Sequence, residues 1–123
     1  MSHFILQTQL TPHTLLEAFP QLKAQNPGFV RAWLSPNGRE ILLEVELDLG
    51  DELRTEYLSL QRQSSGDLIF HLLSGGEEIP FKALSDTLQR LLNWLLSLEP
   101  HAHVVRHTFG QYVTLPATSL HGS

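Results

Sequence analysis

Between Glu40 and Leu49 apolar and polar residues take turns. Ile41, Leu43, Val45, Leu47 and Leu49 hold the odd positions, and Glu40, Glu44, Glu46 and Asp48 hold all but one of the even ones. Such alternation predicts a strand with one face buried and the other in water. The wet face is acidic. Phe29 to Leu34 precedes it across Ser35-Pro36-Asn37-Gly38, and the Asn-Gly pair predicts a hairpin whose tight turn uses positive φ angles.

The same reading extends in both directions. Phe4 to Leu10 alternates and predicts a short strand. Thr11-Pro12 supplies a helix cap and a first-turn proline, and Leu15, Leu16, Phe19 and Leu22 form one apolar helical face. Pro20 interrupts that pattern, so a kink at Phe19 or two short helices are expected. After the hairpin, Gly50-Asp51 turns the chain into a strand from Leu53 to Gln63, and Ser64-Ser65-Gly66-Asp67 turns it again. Leu68 to Leu73 is apolar on both faces apart from His71, as a central or covered strand would be. Lys82 to Leu98 lacks glycine and proline and predicts the longest helix, stopped by Glu99-Pro100. Val104 to Leu115 predicts a last strand.

The element order β-α-β-β-β-β-α-β predicts an α+β two-layer sandwich. An antiparallel meander carries a long helix from the C-terminal half and a shorter N-terminal helix on one face. Residues 1–116 are expected to form a single domain, with 117–123 a loose tail; 123 residues suit one core.

The long helix has more apolar surface than a helix on a sheet needs. Leu84, Leu88, Leu91, Leu95 and Leu98 make a stripe, Leu92 and Leu96 widen it, and Trp94 lies off to one side. Either a second layer of the same chain covers this surplus, or another chain does. The preferred expectation is a symmetric homodimer with Leu88, Leu92, Trp94, Leu95 and Leu96 at its interface.

Charge narrows the partners. The net charge is −5, and the eight Lys and Arg residues are scattered with no two adjacent. Nucleic acid and anionic membrane surfaces both call for clustered cations, so neither is expected. The chain has no cysteine, which removes disulfides, thiolate zinc sites and a cysteine nucleophile. No basic segment followed by a long apolar run opens it, and no apolar run approaches the ~20 residues that span a bilayer. A cytoplasmic location is expected.

Candidate chemistry centres on Pro100 to Gln111, where His101, His103 and His107 fall within seven residues. On one unbroken strand the three would share a face, and three imidazoles are the ligand count of several catalytic zinc sites. At ~3.3 Å per residue His101 and His103 stand about 7 Å apart, within reach of one ion, whereas His107 lies ~13 Å beyond His103. A metal held by His101 and His103 therefore needs partners such as His71, His3 or a carboxylate. The competing reading places His101 and His103 in a loop after the helix, where its dipole favours them, and leaves His107 half-buried. No nucleotide, hydrolase or zincin motif occurs. Glu44 and Glu46 are already explained as a solvated strand face.

Three functions remain. The first is a small acidic non-catalytic binding protein, a chaperone, adaptor or assembly factor acting on a protein partner without a cofactor. The second is a histidine-based metal-binding protein or small metalloenzyme. The third is a small-ligand domain with a pocket between sheet and helices lined by Trp33, Tyr57 or Tyr112. The sequence favours the first, and no enzyme activity is expected.

Overall fold

In a computed structural model, the structure describes residues 3–73 and 81–107. Its elements are β1 (His3–Gln7), α1 (Pro12–Gln25), β2 (Phe29–Leu34), β3 (Glu40–Asp48), β4 (Leu53–Arg62), β5 (Leu68–Leu73), α2 (Phe81–Leu98) and β6 (His103–His107). This is the expected order. The strands form an open antiparallel sheet in the order β2-β3-β4-β5-β1-β6. The meander from β2 to β5 is extended by β1 and β6, and both helices join one core with the sheet. The continuation of the last strand to Leu115 and the tail at 117–123 lie outside the described residues.

Strand parity builds the core. Ile41, Leu43, Val45 and Leu47 of β3 meet Leu58 and Leu60 of β4, Leu68 and Phe70 of β5, and Phe4 and Leu6 of β1 on the helix side of the sheet. Phe4 stacks on Phe70 across β1 and β5, with ring centroids 4.9 Å apart. From α1 come Leu15, Phe19 and Leu22; from α2 come Leu84, Leu88, Leu91, Leu92, Trp94 and Leu95.

Two local expectations are corrected. Helix α1 is a single helix through Pro20, so the alternative of two short helices does not hold. The proline side chain is exposed, so the carbonyl it leaves without an N–H partner lies on the side of the helix that water reaches. Thr11 caps the start, its hydroxyl accepting from the Thr14 N–H at 3.2 Å. Strand β1 ends at Gln7, short of Leu10, because the next backbone groups bond elsewhere: the Leu10 N–H donates to the Thr8 hydroxyl and the Gln9 N–H to Glu99.

The hairpin is present, but its turn differs from the expected one. No residue other than glycine has a positive φ among those described, and Gly38 has φ 72°. The Gly38 N–H donates to the Ser35 carbonyl, with Pro36 and Asn37 between them. Pro36 presets the first turn position and Gly38 takes the left-handed one, so the strand twist is accommodated one residue later than in a two-residue Asn-Gly turn. The β3–β4 connection is the tighter one. There the Leu49 N–H donates to the Glu52 carbonyl, and Gly50 at φ 97° is the first central residue.

Candidate functional site

The helices cover one face of the sheet, and no described element covers the other, here called the open face. Its residues follow from the register. Trp33 pairs with Leu42, Leu42 with Ser59, and Ser59 with His71. One row along, Arg31 pairs with Glu44, Glu44 with Tyr57, and Tyr57 with Leu73. All have the parity opposite to the core positions Ile41 and Leu43. Trp33, Tyr57 and Leu73 are 36%, 37% and 45% exposed, among the most exposed large apolar side chains described.

These side chains hold one another. Trp33 and Tyr57 meet edge to face at 6.2 Å and 74°. The Arg31 guanidinium lies 5.4 Å from the Trp33 ring centre, and its Nε pairs with a Glu44 carboxylate oxygen at 2.9 Å. Glu40, in the row beyond Trp33, accepts a short hydrogen bond from the Ser59 hydroxyl. The indole is therefore gripped between a cation and a second ring. Half-buried Leu42 lies beside it, and half-buried Ile69 and Ile5 extend the apolar surface toward β1.

The side chains expected at a dimer interface are elsewhere. Leu88, Leu92, Trp94 and Leu95 are buried in the chain's own core, and Leu96 is half-buried. From Trp94 round to Leu92 the buried arc of α2 covers roughly 160° at 100° per residue. That is wider than the stripe of a helix on a flat surface, so the helix has walls on both sides. Of the two alternatives for the apolar surplus, cover by the same chain is the one realised at these four positions.

The histidines separate. His101 is exposed in the turn after α2, and His103 opens β6, half-buried and opposite Gln7 of β1. His71 lies on the open face of β5, its backbone paired with His3, four residues along β1 from the partner of His103, or about 13 Å at strand rise. His71 is therefore too far to join His101 and His103 on one ion. Among the described residues no group of three or more His, Asp or Glu side chains is placed to hold a metal.

What His101 and His103 do line is a polar cleft of about 590 Å³, together with Gln7, Thr8, Gln9, Arg62, Asp67 and Glu99. Its charged groups are partly committed to structure. Glu99 accepts from the Gln9 N–H at 2.9 and 3.1 Å and from the Thr8 hydroxyl. Arg62 donates from Nη1 to the Leu10 carbonyl at 2.9 Å. These bonds fasten the loop after β1 to the end of α2 and to β4.

Trp33 and Tyr57 lie on the sheet face away from the helices, so neither lines a pocket between sheet and helices. Tyr112, the third residue named for such a pocket, lies outside the described residues. No helix among the described residues is long and apolar enough to cross a membrane. Comparison of the chain with protein-family models, with curated proteins and with solved structures found no match.

Proposed function

We propose that the chain is a non-catalytic binding protein that docks a segment of a protein partner on the open face of its sheet. One observation carries this reading: Arg31, Trp33 and Tyr57 form an exposed cluster already fixed by mutual contacts. Trp, Tyr and Arg are the residue types that dominate binding energy at protein interfaces. A cluster held in place before association loses less side-chain freedom when it docks. A two-layer sandwich also leaves one sheet face free for a third layer, and a partner segment can supply it.

Dimerisation through α2 drops out of this proposal, since four of its five interface positions are occupied within the chain. The binding reading survives the loss with a different surface.

The test compares three forms of the protein as bait in extract of its own cells. Trp33→Ser/Tyr57→Ser is expected to lose the retained partner while staying folded, its thermal midpoint lowered by no more than about 10 °C. His101→Ala/His103→Ala is expected to retain it. Loss in the histidine variant with retention in the aromatic one would move the function to the cleft.

A further inference from the structure

The open face has a charged end, and its sign selects the partner. Resting on the docking reading above, we propose that the docked segment is amphipathic and cationic, its apolar side chains on Trp33, Tyr57 and Leu73 and its Lys or Arg side chains toward the β3–β4 turn. Beyond the row of Arg31, Glu44, Tyr57 and Leu73, the outward positions of β3 are Glu46 and Asp48. Asp51 and Glu52 follow in the turn, and all four are exposed. Among the described residues no cation stands within ion-pair distance of Glu46, Asp51 or Glu52, and the ion pairs formed are Arg31–Glu44 and Arg54–Glu56. Asp48 borders a second cleft shared with Lys82 and Arg90 on the helix side. Of the described side chains on the open face, Arg31 is the one cation, and Glu44 already neutralises it. Arg39 lies in the β2–β3 turn at the opposite end of β3.

An apolar cluster beside unpaired carboxylates complements a segment with apolar residues on one side and positive charge at one end. Opposite charges across a rim steer encounter and fix the direction of docking. The geometry admits a helix. From β2 to β5 the cluster crosses three strand spacings, about 14 Å at ~4.8 Å each, and a helix with its side chains is about 10–12 Å across.

A second copy fits less well. A two-fold axis lying in the face at the Trp33–Tyr57 cluster packs β3 over its own copy. Glu46 then meets either Glu46 or Glu40 of the other chain, like charges that oppose association.

The experiment is calorimetric titration with two synthetic helical peptides that share a Leu/Phe stripe. One is flanked by Lys and the other by Glu. The Lys peptide is expected to bind the unaltered chain, more weakly as salt rises. Glu46→Lys/Glu52→Lys is expected to weaken it roughly tenfold, as two exposed attractions become repulsions, and to favour the Glu peptide instead. Trp33→Ser is expected to abolish binding of both. Equal binding of the two peptides, lost in Trp33→Ser, would overturn the charge preference and leave the docking face standing. Binding indifferent to Trp33→Ser would remove the docking face itself. No binding of either peptide, or a concentration-dependent dimer by sedimentation that Trp33→Ser dissolves, would overturn the proposed partner chemistry.

Discussion

Trp33 and Trp94 show how much position decides at the residue scale. Trp94 is 4% exposed in the core and Trp33 is 36% exposed on the open face. Replacing Trp94 with Ala should cost about 3–5 kcal/mol, the range for a large buried aromatic. Replacing Trp33 with Ser should cost about 1 kcal/mol, the ordinary size for a partly exposed site. Urea unfolding of the two variants checks the difference. The buried Trp94 Nε1 has no hydrogen-bond acceptor among the described residues, so Trp94→Phe should cost far less than Trp94→Ala. Gly50 carries the other residue-scale prediction. At φ 97° nothing lies within 4 Å of an added Cβ, so Gly50→Ala tests backbone conformation alone. It should destabilise by about 1–2 kcal/mol, the left-handed penalty for an L-residue, read from the same urea midpoints.

At the scale of elements, the strands were largely legible and the cover of α2 was not. The alternation in β3 and the breakers at Gly38, Gly50 and Gly66 left little freedom, because a period of two admits one assignment of faces. Helix α2 is different. Its apolar residues can be counted, but whether the chain's own elements wall a roughly 160° arc depends on sheet twist and loop placement, which have no local code. The same gap hid the open face. Both-sided apolarity in Leu68 to Leu73 is compatible with a covered strand, yet β5 is central with its Ile69, His71 and Leu73 side turned away from the helices. Trp33 and Tyr57 come together only once β2 and β4 flank β3, a pairing separated by 24 positions of sequence. His101 lies in a post-helix turn as the loop reading has it, whereas His103 is already the first residue of β6; their cleft partners come from β1, β4, the end of α2 and the turns beside them.

Two element-scale contacts give predictions. Arg54 and Glu56 pair at 3.2 Å on the helix side of β4, with side chains 17% and 5% exposed. Arg54→Met leaves the enclosed Glu56 carboxyl without this partner, and should cost about 3 kcal/mol, the lower end for breaking a buried pair. Arg54→Met/Glu56→Leu should cost less than the sum of Arg54→Met and Glu56→Leu, and a double-mutant cycle measures the coupling. Glu99 ties the end of α2 to the loop after β1 through the Gln9 N–H and the Thr8 hydroxyl. Glu99→Ala should cost about 2 kcal/mol, the size for hydrogen bonds to a charged acceptor, with amide exchange rising first at Gln9.

For the molecule as a whole, one face of the sheet holds it together, and the other is the face proposed for a partner. The helices satisfy the first, and the cluster of Arg31, Trp33 and Tyr57 beside unpaired carboxylates marks the second. The net charge of −5 supports the same account, since it disfavours anionic surfaces and suits a cationic segment. The most direct measurement is the fluorescence of Trp33 in the Trp94→Phe chain, free and bound to the partner recovered from its cells. The account predicts that Trp33 emission shifts to the blue and resists acrylamide quenching in the complex. Formation of the complex with Trp33 emission and quenching unchanged would contradict it.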